Sequence, residues 1–125
     1  MAGTYTDIVS ITAPGSALAG SRVSVEVRVK NLHSAAVHIY CIAVLDSAQR
    51  FIDWQEAWVN PGVTKTFAGS FTMPSSNVTI NAYTYYQAAD GYVYSDDQAS
   101  KSVSLEQVKL VAEFSSFRIV NYKAV

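Results

Sequence analysis

The sequence contains one cysteine, Cys41. A lone thiol forms no internal disulfide, so the fold must stand on packing alone. Charge is scarce as well: 15% of residues are charged and 50% are hydrophobic. A disordered chain shows the reverse balance, so that class is excluded. Nine basic residues stand against 10 acidic ones, for a net charge of -1. A dedicated nucleic-acid binder carries a strong basic excess, so no nucleic acid is expected as a partner. No window approaches about eighteen apolar residues, so no membrane span and no membrane partner are expected. Histidines number 2. The only soft metal ligands are then His33, His38 and Cys41, and zinc asks for four well-placed groups. His38 and Cys41 are three apart, which puts them on opposite faces of a strand. No metal and no cofactor are expected. The start, Met1-Ala2-Gly3-Thr4-Tyr5-Thr6-Asp7, lacks the basic region and apolar stretch of a signal peptide. The expected location is the cytoplasm when made, with later association with a virion.

What the sequence does hold is a period of two. Arg22 to Lys30 alternates Val23, Val25, Val27 and Val29 with Arg22, Ser24, Glu26, Arg28 and Lys30. That is a half-buried antiparallel strand with one wet face. Ile8 to Ala13 reads as a short strand stopped by Pro14-Gly15, and Asn31 to Ala36 as a loop. Val37 to Leu45 is apolar on both faces and is expected to be central and covered. Phe51 to Val59 is ambiguous between strand and helix, with Trp54 and Trp58 on one face either way. Asn60-Pro61-Gly62 is a turn. Thr64 to Met73 is a strand with a bulge expected at Gly69. Val78 to Gln87 is a strand. Ala88-Ala89-Asp90-Gly91 is a hairpin turn, followed by Tyr92 to Ser95 and Ala99 to Leu105 with a kink at Asp96-Asp97.

Sequential short strands without helices between them predict a sandwich or barrel. About seven strands in roughly a hundred residues predict an all-β, Ig-like antiparallel β-sandwich over residues 1–105. Residues 106–125 exceed that count. They carry Phe114, Phe117, Ile119, Val120 and Tyr122, and they read as a C-terminal β arm. It supplies either extra strands or pairing onto the sheet edge of a neighbouring molecule.

Several stretches resemble a known family. Val23-Ser24-Val25-Glu26-Val27-Arg28-Val29-Lys30-Asn31 is similar to the second strand of bacterial Ig-like adhesion modules of the CARDB type. Asn60-Pro61-Gly62 with Val63-Thr64-Lys65-Thr66-Phe67 resembles their turn and return strand. Ser70-Phe71-Thr72-Met73-Pro74 with Asn77-Val78-Thr79-Ile80-Asn81-Ala82 is similar to a phrase of bacterial and phage surface repeats. The resemblance spans roughly residues 7–105 and implies a β-sandwich that works as a spacer, adhesin or decoration.

Chemistry is thinly represented. There is no Gly-x-Ser-x-Gly elbow. Ser34 beside His33 lacks an orienting acid, and Cys41 sits in an apolar strand as an inert thiol. Asp46, Asp53, Glu56, Asp90, Asp96 and Asp97 read as solvated loop charges rather than a glycosidase pair, and the last three as turn residues rather than a calcium loop. No enzyme is expected. The aromatic residues are the stronger signal. Tyr83, Tyr85, Tyr86, Tyr92 and Tyr94 surround one hairpin, while Phe51, Trp54 and Trp58 surround another. Strand alternation forbids all of them from one core. Exposed tyrosine and tryptophan serve protein contacts or sugar stacking. The expected function is a non-enzymatic structural or interaction module: a homo-oligomeric assembly component or a capsid or tail decoration protein of a virion. Its protein partner is itself or a larger assembly. The alternative is a carbohydrate-binding or cell-adhesion module stacking glycans on Trp54, Trp58, Tyr85 and Tyr92.

Overall fold

The computed structural model describes residues 2–46 and 49–107. Eight strands follow in order: β1 (Thr6–Thr12), β2 (Ser16–Ala17), β3 (Arg22–Asn31), β4 (Val37–Leu45), β5 (Gln49–Val59), β6 (Thr64–Thr72), β7 (Val78–Gln87) and β8 (Val93–Leu105). They form two facing sheets, one ordered β1-β3-β6 and the other β2-β8-β7-β4-β5. The neighbouring strands are antiparallel except for β2, which runs parallel to β8 through Ser16 and Ala17. The result is the expected Ig-like sandwich. Phe114, Phe117, Ile119, Val120 and Tyr122 lie outside the described residues.

The valine stripe explains the first sheet. Val23, Val25, Val27 and Val29 are all buried, while Arg22, Ser24, Glu26, Arg28 and Lys30 face solvent. Phe67 and Phe71 of β6 join them from the next strand. The second sheet answers with Ile39, Cys41, Ala43 and Leu45 of β4 and Ile80 and Ala82 of β7. Each valine, isoleucine, leucine or phenylalanine among them contributes about 1.5–3 kcal/mol when fully buried, which makes this layer the main source of stability.

One open question is settled and three details depart from the expectations. The Phe51–Val59 region is wholly strand, beginning at Gln49. The two-residue β2 lies between two turn signals and is too short for any periodicity to mark it. Asn31 is not loop but the buried end of β3. Its amide donates to the carbonyls of Ala35 at 2.9 Å and Val59 at 2.8 Å and accepts from His33 N at 2.8 Å. Gly69 is not a bulge, because β3 and β6 keep their register through Val25 and Gly69. Its role is close approach: a Cβ there would sit 2.7 Å from both Ile52 Cγ1 and the Phe51 carbonyl oxygen, where β5 crosses β6.

The kink at Asp96-Asp97 is a true irregularity. Tyr83 pairs with Gln98 and Tyr85 with Ser95, so Asp96 and Asp97 stand opposite the single Thr84. This bulge turns both carboxylates toward β1. Asp96 accepts from Thr4 N at 2.9 Å, Tyr5 N at 3.1 Å and Thr6 N at 2.7 Å. Asp97 accepts from Ile8 N at 2.7 Å. A buried relay completes the link. Asp97 N donates to Thr84 Oγ1 at 3.0 Å, Thr84 Oγ1 stands 2.7 Å from Thr6 Oγ1, and Thr6 Oγ1 donates to Asp96 at 2.5 Å. A carboxylate only accepts, so the Thr84 hydroxyl must be the donor to Thr6.

Candidate functional site

Both tryptophans stand exposed on the outer face of the five-stranded sheet, beside the half-buried His38, Tyr40 and Tyr85. Alternation along β4 sends Ile39 and Cys41 inward and His38 and Tyr40 outward. Register then sets the neighbours: His38 lies opposite Trp58, and Tyr40 lies between Glu56 of β5 and Tyr85 of β7. Trp54 reaches the same face through a bulge. Cys41 pairs with Gln55 and Ala43 with Ile52, so Asp53 and Trp54 together oppose Ile42. Trp54 takes a left-handed conformation, with φ 48°. That conformation costs a bulky residue about 1 kcal/mol or more. The extra residue lets Ile52 point into the core while Trp54, Glu56 and Trp58 all point out.

The rings form a continuous chain. Trp58 stacks on His38 with centroids 4.9 Å apart and planes 14° apart. His38 meets Tyr40 at 4.6 Å, Tyr40 meets Trp54 edge-on at 6.0 Å, and Trp54 meets Tyr85 at 4.7 Å. Trp58 is 69% exposed and Trp54 42%. Such large apolar exposure on adjacent residues is unusual for a solvated sheet face.

His38 fixes this chain. Its Nε2 lies 2.6 Å from Glu56 Oε1 and its Nδ1 lies 3.1 Å from Gln87 Oε1. Gln87 is itself oriented, because its Nε2 donates to the Gly91 carbonyl at 3.1 Å. The imidazole is thus held from both ring nitrogens. Sequence reasoning considered His38 only as a metal ligand and overlooked Tyr40. Their alternation with Ile39 and Cys41 was the available signal.

A second ring group sits at one end of the sandwich. Tyr5 packs edge-on against His33 at 4.9 Å and tilted against Tyr86 at 4.3 Å, and Tyr86 meets Tyr94 at 5.9 Å. Tyr86 points to the inner side of its sheet, away from Tyr85. The tyrosine hairpin of the sequence thus divides between two surfaces. Tyr92 is 69% exposed in the β7–β8 turn, apart from the chain of rings running from Trp58 to Tyr85. Phe51 packs on Phe71 at 5.1 Å, at the margin of the core.

The remaining polar candidates hold structure. Asp90 accepts from Tyr92 N at 2.9 Å and from Tyr94 Oη at 2.8 Å. These two bonds hold its carboxyl below the usual range, and the second pushes the Tyr94 phenol up. Asp46 accepts from Thr79 N at 3.1 Å, and Asp53 pairs with Arg50 at 2.9 Å. Asp96 and Asp97 are committed to backbone donors of β1. Cys41 is buried, and burial pushes its thiol up to about 12. Among the described residues no helix is long and apolar enough to cross a membrane.

No family model matches the sequence, and no curated protein matches it. Solved structures do. The CARDB domain of a Pyrococcus furiosus protein, solved in complex with di-metal ions, aligns with a TM-score of 0.64 at 18% identity, over 85% of this chain and 93% of that one. A chain of the human seminal-plasma complex between zinc α2-glycoprotein and prolactin-inducible protein aligns with a TM-score of 0.59 at 14% identity, over 82% of this chain and 98% of that one. At these identities the likeness is one of fold: two facing sheets of the Ig-like kind, shared with a CARDB domain.

Proposed function

We propose that this protein is a non-enzymatic interaction module that binds a protein partner by surface contact, through the outer face carrying Trp58, His38, Tyr40, Trp54 and Tyr85. The observation behind this reading is the fixed, exposed chain of rings. Interfaces concentrate tryptophan and tyrosine at their centres and avoid free charge there. On this face the Glu56 carboxylate is already engaged by His38. Rings fixed before contact also lose little side-chain freedom on binding. The partner we favour is a second copy of the chain within a larger assembly, a capsid or tail decoration on a virion being one such setting. The C-terminal segment with Phe114, Phe117, Ile119, Val120 and Tyr122 is its second contact element in this reading.

Solution mass by light scattering tests it, on the full chain and on full-length Trp54→Ala and Trp58→Ala. The expected result is an oligomer whose dissociation constant rises about tenfold or more in each variant, with circular dichroism unchanged; hot-spot tryptophans contribute at this scale. A full chain that stays monomeric at roughly 100 µM, weaker than stable interfaces reach, refutes self-association.

A further inference from the structure

Beside the exposed face, at the end of the sandwich, lies an open cleft of about 400 Å³. That is within the range of about 300–1,000 Å³ for small-molecule sites. Its walls include Tyr5, His33, His38, Trp58, Tyr86 and Gln87, with the backbone of Ala35–Ala36 and Ala88–Ala89 around them. The cleft goes beyond the face contact and shares with it only Trp58 and His38.

Two properties of the lining define the ligand. No aspartate, glutamate, lysine or arginine lines it, so nothing there balances a formal charge on a guest. Flat rings stand beside phenol hydroxyls, an imidazole and a carboxamide, so the guest needs one apolar face and several hydroxyl-type partners at its edge. The stack on His38 covers one face of the Trp58 ring, and most of the side chain remains exposed. The Glu56–His38–Gln87 contacts keep that stack in place. We propose that this cleft binds a neutral pyranose ring of a glycan, with its axial hydrogens on the Trp58 indole and its hydroxyls on Tyr5, Tyr86, His33 and Gln87. A pyranose combines an apolar face with a polar rim, as the lining requires, and aromatic rings suit such amphipathic contact.

The test is a titration of the full-length ¹⁵N-labelled chain with the methyl glycosides of glucose, galactose, mannose and N-acetylglucosamine, read by two-dimensional NMR. At least one glycoside is expected to shift the Trp58 indole N–H and the amides of residues 35–37 and 87–89, with a Kd of about 1 mM, typical of one small ring. Trp58→Ala is expected to weaken that Kd at least tenfold with the remaining spectrum unchanged, and Trp54→Ala, outside the cleft, to leave it unaltered. No shift with any of the four at roughly 10 mM, ten times that Kd, overturns the proposal. So does a response that maps elsewhere, or an equal loss in Trp54→Ala. The protein-contact reading fails separately, by its light-scattering mass.

Discussion

Replacing Asp96 by alanine tests whether one carboxylate ties the two sheets together at the β1 edge. Four donors converge on it: Thr4 N, Tyr5 N, Thr6 N and Thr6 Oγ1. Hydrogen bonds to a charged acceptor contribute about 1.5–3 kcal/mol each. The Thr4 bond is exposed and water replaces it, and the Tyr5 bond at 3.1 Å is long and half-exposed, so both count for little. Thr6 is fully buried; its amide loses its acceptor without gaining water, while its hydroxyl keeps Thr84 Oγ1 at 2.7 Å as a partner. The amide loss of about 1.5–3 kcal/mol and a smaller loss at the hydroxyl together give about 2–4 kcal/mol. For a domain of this size, that lowers Tm by roughly 8–18 °C. Urea unfolding of the two proteins, with the m-value checked for constancy, is the assay. Asp96→Asn retains one acceptor oxygen and is expected to lose about half as much. Gly3→Ala should produce a related defect, because its Cβ would collide with the Asp96 carboxylate and stand 2.7 Å from the Asp96 carbonyl oxygen. A loss below about 1 kcal/mol in Asp96→Ala, no more than one ordinary neutral bond, would refute the idea that this carboxylate holds β1.

Two further outcomes follow from packing and burial. Gly69→Ala is expected to destabilise by about 1–3 kcal/mol, the usual cost of overpacking; unchanged urea midpoints would show that β5 and β6 separate freely. The Cys41 thiol ionises near 9.0 when unfolded but only near 12 when folded, because it is buried. The folded state therefore keeps its proton longer, and this contribution, fully present below pH 9, is lost as pH rises toward 12 at about 1.4 kcal/mol per unit. Native Cys41 is thus expected to resist a thiol reagent at pH 8 and react only on unfolding; rapid labelling of the native chain would contradict its burial.

The strand pattern was legible where one face is wet. Val23 to Val29 alternate so regularly that register and burial both follow from the letters. The Asp90-Gly91 and Pro61-Gly62 turns were equally plain, since each glycine adopts a positive φ, 87° and 75° respectively. The features that escaped depend on distant neighbours. Gly69 looks like a bulge in a single strand; its reason is the backbone of β5 lying across it. Asp96 and Asp97 look like turn residues, and their partners are some 90 positions away. At the candidate site, alternation placed Tyr85 outward and spacing put Trp54 and Trp58 on one face. The Trp54 bulge and the His38–Glu56 clamp required knowing which strands are adjacent.

The carboxylates that hold β1 also impose an order on synthesis. Asp96 follows Thr6 by 90 residues. At about 5–20 residues per second, the ribosome delivers it roughly 5–18 s later. During that interval β1 can lie beside β3, which follows closely, while its outward N–H groups remain without their acceptors. The first strand of this sandwich to be made is thus among the last to be secured, and a nascent chain halted before Asp96 presents an open edge to other chains. Slow elongation across β7 and β8 lengthens that exposure, so the efficiency of producing this sandwich in a cell should depend on translation speed across those two strands as well as on the stability of the finished fold.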